Sequence, residues 1–161
     1  MKKSKKRILP AILIPAGVLS LALLVLLILL IRSAQPYRRI SRFVKKNEAE
    51  LTQIAEDILA GKKPSEKEYQ GVEIEGRFNG DHPMVQFYSF GFGLVPSSTY
   101  YGFYYSPDDV PLPYHNADDH YGVVTNSESD DPDTTRYQGE GDNGGQTTRI
   151  IPCWYYYEAW F

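Results

Sequence analysis

Chemistry in this 161-residue chain would have to come from a few groups of side chains. Cys153 is the only cysteine, so no internal disulfide can form. Its thiol could act as a nucleophile only beside a positioned histidine. His82, His115 and His120 are present, but nothing in the sequence brings them to it. In strand register Cys153 shares a face with Tyr155, Tyr157 and Ala159, which predicts a buried small hydrophobe. His115, Asp118, Asp119 and His120 sit together in YHNADDHY, and such side chains ligate zinc and similar metals. Their spacing matches no metal signature, and the segment reads as a solvated loop. Asp130, Asp131 and Asp133, and separately Glu140, Asp142 and Asn143, offer oxygen ligands of the kind calcium takes. Neither run fits an EF-hand: the first has Thr135 where a further ligand is needed and lacks the glycine of the turn. Both are expected to be solvated acidic loops.

Two further patterns invite a catalytic or sugar-binding reading. The pairs Asp108-Asp109 and Asp118-Asp119 supply carboxylates of the kind that hydrolyse glycans, although adjacent acids in loops are common. Tyr100, Tyr101, Tyr104, Tyr105, Trp154, Tyr156 and Trp160 could stack on sugar rings; packing within and upon a sheet is the plainer expectation. There is no phosphate-binding glycine loop, HExxH, CxxC or GxSxG. No catalytic, cofactor-binding or metal-binding residue and no cofactor is therefore assigned, and the balance falls on a non-enzymatic role.

The elements that position these groups follow from charge and periodicity. The net charge of −3 is a cancellation: residues 1–46 hold eleven Lys/Arg and no acid, and residues 47–161 carry −14. Residues 8–31 contain no charge, and a helix of that length covers roughly 36 Å, enough for a ~30 Å hydrocarbon core. We expect a basic flank over residues 1–7 and a single-pass transmembrane helix over 8–32, uncleaved as a signal-anchor because the run exceeds a signal-peptide core. The positive-inside rule favours the N-terminus in the cytoplasm and the C-terminal domain outside, whereas the basic stretch over residues 32–46 suits an anionic cytoplasmic leaflet and favours the reverse.

An amphipathic stem helix is expected over residues 33–61, from Ile40, Phe43, Val44, Leu51, Ile54, Ala55, Ile58 and Leu59 at spacings of three and four. Pro36 suits its first turn and Gly61 its end. Residues 62–70 read as a linker. Residues 71–161 read as an acidic domain; from residue 78 onward it holds nineteen Phe, Tyr or Trp and only two cations. Strands are expected over residues 72–78, 84–95, 99–106, 121–125, 147–151 and 154–161, with Tyr88, Phe90, Phe92 and Leu94 on one face and loops over 126–133 and 139–146. The class is α+β: a transmembrane helix, a stem helix and a small antiparallel sheet.

The stretches HPMVQFYSFGFGLVPSSTYYGFYYSPDDVP (82–111) and WYYYEAWF (154–161) complete a layout that resembles small single-pass bacterial membrane proteins with an aromatic-rich C-terminal domain, a family without an assigned activity. The resemblance implies a bacterial cell membrane and no functional residue. The expected function is that of a membrane-anchored binding or interaction protein of the bacterial cell envelope. Its expected partners are the lipid bilayer and either a basic protein or cell-wall glycan. Alternatives are an envelope glycan hydrolase using the paired carboxylates and an accessory subunit of a membrane complex. The acidic domain would repel phosphate, which argues against nucleic acid.

Overall fold

In the computed structural model the described residues are 21, 23–25, 35–78, 81–94, 97–114, 125–127 and 131–161. Residues 37–161 form one compact unit. It contains α1 (Pro36–Lys46), α2 (Glu48–Leu59) and eight strands: β1 (Glu68–Tyr69), β2 (Val72–Phe78), β3 (Met84–Leu94), β4 (Ser97–Tyr105), β5 (Thr125–Ser127), β6 (Thr134–Gln138), β7 (Gly144–Ile151) and β8 (Trp154–Trp160). Seven of these strands have three or more residues and β1 has two. All lie in one antiparallel sheet of order β1-β2-β3-β4-β8-β7-β6-β5. The α+β class is as expected.

The transmembrane expectation is corrected. Of residues 8–32 only Leu21 and residues 23–25 are described, as exposed helix. The rest of that span lies outside the described residues. Among the described residues no helix is long and apolar enough to cross a membrane. The two full helices, of 11 and 12 residues, extend about 16–18 Å, short of a ~30 Å core, and each carries a polar face. The descriptions membrane protein, transmembrane helix, single-pass and signal-anchor are withdrawn.

The helical segment breaks where an asparagine is buried. Asn47 has its own N–H on the Phe43 and Val44 carbonyls, at 3.1 Å each, and its Nδ2 donates to Phe43 O at 2.8 Å. Gln70 Nε2 reaches Asn47 Oδ1 at 3.3 Å. Competition from this side chain for backbone acceptors separates α1 from α2. Pro36 does open α1. Gly61, at φ +83°, follows the end of α2; its N–H bonds Ile58 O at 3.0 Å and the Lys62 N–H bonds Asp57 O at 2.9 Å, closing the helix with a Schellman motif.

Both helices lie on one face of the sheet. Ile40, Val44, Leu51, Ala55 and Ile58 share a core with Val72, Val85, Phe87, Phe103, Ile150, Trp154 and Tyr156. Trp154 is 1% exposed and its indole N–H donates to Thr52 of α2 at 3.3 Å. The opposite face carries a second cluster of Met84, Tyr104, Tyr155, Tyr157 and Ala159, against which Phe78, Tyr100, Leu112, Tyr114 and Phe161 pack. The segment after β4 supplies Leu112 and Tyr114, and Leu112 N–H donates to Tyr104 Oη at 2.7 Å.

Two bulges change the facing of side chains. In β3 the register shifts between Tyr88 and Phe90. Phe90 therefore joins the helix-side core, stacked on Tyr101 at 4.9 Å, whereas Tyr88 turns to the other face beside Tyr100 at 6.3 Å. Tyr88 and Phe90 do not share a face, because the extra residue inverts the alternation. In β2 the shift falls between Ile74 and Gly76, leaving Glu75 as the bulged residue. The expected acidic loop starts with β5, and β6 occupies Thr134–Gln138, a polar pentapeptide not expected as a strand. β7 begins at Gly144 inside the segment expected to be a loop.

Candidate functional site

The β7–β8 connection gathers two of the residues singled out from sequence. Cys153 is not on a strand face. It sits at φ +65° in the turn after Pro152, half-buried, with its thiol 3.9 Å from Pro107 O. A non-glycine residue there pays for the left-handed conformation, so something must hold it. Asp109, itself at φ +55°, does so. Its Oδ1 accepts the Cys153 N–H at 2.8 Å and the Tyr155 hydroxyl at 2.9 Å, its Oδ2 pairs with Arg149, and its carbonyl accepts Tyr155 Oη at 2.8 Å. Burial works to raise the Asp109 pKa, but the Cys153 N–H, the Tyr155 hydroxyl and Arg149 hold it below the ordinary carboxylate range. Burial and then Asp109 push the Cys153 thiol up, so it stays protonated and is a poor nucleophile.

Asp108 points elsewhere, to His82 at 3.1 Å on the surface. The pair therefore serves two separate structural contacts and does not converge on one substrate. Asp131 caps a turn, accepting Asp133 N–H at 3.1 Å and Thr134 Oγ1 at 3.2 Å. Glu140, Asp142 and Asn143 form the β6–β7 hairpin tip, where Gln138 Nε2 donates to the Gly141 and Asn143 carbonyls at 3.3 and 3.0 Å. Among the described residues no group of His, Cys, Asp and Glu is placed to hold a metal ion. His115, Asp118, Asp119, His120 and Asp130 lie outside the described residues. The seven aromatics considered for sugar stacking are divided: Tyr101, Tyr105, Trp154 and Tyr156 belong to the helix-side core, Tyr100 and Tyr104 to the opposite face, and Trp160 is half-buried at the end of the last strand.

A cluster not anticipated from sequence lies on that opposite face. Glu75 in the β2 bulge accepts Gln86 Nε2 at 2.5 Å, and Gln86 is fully buried in β3. Four tyrosines run beside them: Tyr88 to Tyr100 at 6.3 Å between ring centres, Tyr100 to Tyr114 at 6.4 Å, and Tyr114 to Tyr157 at 5.3 Å. Gly102 of β4 makes room for the last ring, since a Cβ there would lie 2.5 Å from Tyr157 Cε1 and Oη. Burial pushes the Glu75 carboxyl above its ordinary pKa, against the Gln86 hydrogen bond, and the neighbouring Glu73 adds to the rise. Burial, then Glu75, raises Tyr114 and Tyr157. The Tyr157 hydroxyl is buried beside Glu75 and Gln86. A partly desolvated carboxylate edged by aromatic rings is suited to a cation. The signal that could have found it is the Glu73, Glu75 spacing opposite an aromatic strand, but the bulge that turns Glu75 inward has no sequence mark except Gly76.

No family model matches the chain, and no curated protein or solved structure matches it.

Proposed function

We propose that this protein is a binding and interaction module of the bacterial cell envelope whose acidic domain recognises a basic partner protein. The observation that supports this reading best is the Glu75 cluster, where a half-buried carboxylate lies among tyrosines on the sheet face opposite the helices. The charge of −14 over residues 47–161 adds a field that attracts a cationic partner and steers its approach. The glycan-hydrolase alternative is less well supported, because Asp108 and Asp109 are each committed to a different contact. Location at the envelope is part of the proposal and rests on the basic composition of residues 1–46, which suits an anionic lipid surface.

The test is capture of partners by the full-length protein at low and high salt. Retention of basic proteins at low salt, released as salt rises, is the expected result. Retention that is indifferent to salt, or no retention, would overturn the reading.

A further inference from the structure

We infer that the outward face of α1, together with Phe92 of β3, is a docking surface for a membrane rich in anionic lipid. This goes beyond recognition of a basic partner and gives the envelope location in that reading a surface. The contact is with headgroups and the outermost acyl carbons, and it needs no segment that crosses the bilayer.

Charge carries the first part. α1 spends its apolar side on the sheet, with Ile40 and Val44 buried. Arg38, Arg39, Arg42, Lys45 and Lys46 are left exposed, and the helix contains no acid. Among the described residues no carboxylate pairs with any of the five. Arg42 Nε turns back to the Arg38 carbonyl at 3.1 Å, and the Arg39 guanidinium lies 5.5 Å from the centre of the Phe90 ring. A row of cations without internal anions complements the phosphates of an anionic leaflet.

Position carries the second part. Phe90 and Phe92 are two residues apart on β3 beyond its bulge, so they share a face. Phe92 therefore points to the side of the sheet that carries α1, next to Arg39. It is 76% exposed, more than any other large apolar side chain among the described residues. Cations that meet phosphate beside a ring that enters the acyl boundary are the pairing by which peripheral surfaces hold lipid.

The acids of α2 would oppose such a contact, and the strand register sets them back. Thr52, in the middle of α2, takes the indole N–H of Trp154. Trp160 pairs with Thr99, and Thr99 pairs with Phe92. From Trp154 to Trp160 a strand advances about 20 Å, more than two Debye lengths at about 8 Å each. The membrane is thus met by the end of the sheet that carries Phe92 and the start of α1.

The test uses the full-length protein carrying Phe92→Trp, with vesicles brominated in the acyl chains near the headgroups. One set is phosphatidylcholine alone, and the other also contains phosphatidylserine. Fluorescence quenching beyond that of the wild type, whose Trp154 and Trp160 set the background, reads entry of the ring at this one position. Quenching is expected on the phosphatidylserine vesicles, is lost as salt rises, and is small on the neutral ones. Ser65→Trp, beside the end of α2, is expected to stay unquenched on both. Replacing Arg38, Arg39 and Arg42 by Gln together is expected to lower partitioning by about 100-fold, at about fivefold for each cation, with the far-UV circular dichroism of the fold retained. Equal quenching on neutral and anionic vesicles, equal quenching of Ser65→Trp and Phe92→Trp, or a triple variant that partitions like its parent would each overturn the inference. A Phe92→Trp response to deca-glutamate with none to vesicles would overturn lipid as the occupant and make the face a site for an acidic protein. Salt-sensitive capture of basic proteins is untouched by any of these outcomes, so the two readings fail separately.

Discussion

Gly102→Ala probes the centre of the sheet with a single methyl group. Gly102 in β4 pairs with Tyr88 of β3 on one side and Tyr157 of β8 on the other. A Cβ at this position would lie 2.5 Å from Tyr157 Cε1 and Oη, and closer still to the Phe87 carbonyl oxygen. Non-bonded carbon contacts settle near 3.5–4.0 Å, so the neighbours must retreat by about 1 Å. Tyr157 is 1% exposed and backed by Tyr114 at 5.3 Å, and Phe87 O belongs to a central strand. Neither can move freely. Overpacking a tight core costs about 1–3 kcal/mol, and a backbone obstacle puts this case at about 3 kcal/mol or more. With a urea slope of about 1–3 kcal/mol per molar, the unfolding midpoint should fall by about 1–3 M. Urea titration followed by far-UV circular dichroism reads this directly. Gly141→Ala is the control: nothing lies within 4 Å of its Cβ but φ is +65°, so it should cost only the left-handed strain of about 1–2 kcal/mol. Adding Tyr157→Ala to Gly102→Ala should not restore stability, because the Phe87 oxygen remains. A Gly102→Ala midpoint equal to the wild type, or higher than that of Gly141→Ala, would refute the packing argument.

Asp109→Asn keeps a left-handed-tolerant residue and an acceptor for the Cys153 N–H but removes the charge, and should cost about 1 kcal/mol at neutral pH. Because the folded pKa of Asp109 is lowered from 3.8, its contribution is present above the ordinary value and lost as pH falls through the folded one, so wild type and variant should converge in acid. Glu75 has the opposite sign: its folded pKa is raised from 4.5, so its contribution is full below that value and is lost as pH rises through the folded pKa. Urea midpoints across that window should show a decline that Glu75→Gln removes. Cys153→Gly should stabilise by a few tenths to about 1 kcal/mol by relieving φ +65°, read as a raised melting temperature. Deleting residues 154–161 should abolish cooperative unfolding, because β8 alone joins β4 to β7; a soluble truncated chain with a sharp melting transition would contradict this.

Much of the secondary structure was legible because local patterns govern it. β2 occupies Val72–Phe78 as its alternation predicts, and Pro36 and Gly61 bound the helical segment. What escaped depends on partners distant in sequence. The Asp109 contact to Cys153 spans 44 residues, and no local pattern in either segment announces the other. Cys153 looked like a strand residue because it precedes one, yet Pro152 and Asp109 commit it to the turn. β6 escaped since TTRYQ has little apolar alternation and owes its strand state to pairing with β5 and β7. The Tyr88–Phe90 bulge defeated period-two reasoning in β3, and the bulge between Ile74 and Gly76 in β2 hid the Glu75 cluster.

The strand order has a consequence for biosynthesis. Strands β1–β4 and β5–β7 form two runs of chain neighbours, and β8, last in chain order, lies between them. A nascent chain that has emerged only through β7 presents two open edges, at β4 and β7, with Tyr101, Phe103 and Tyr105 along the first. Unpaired aromatic edges of this kind recruit other strands. The stage at which β1–β7 have formed and β8 has not yet paired is therefore one in which this protein is exposed to misassembly.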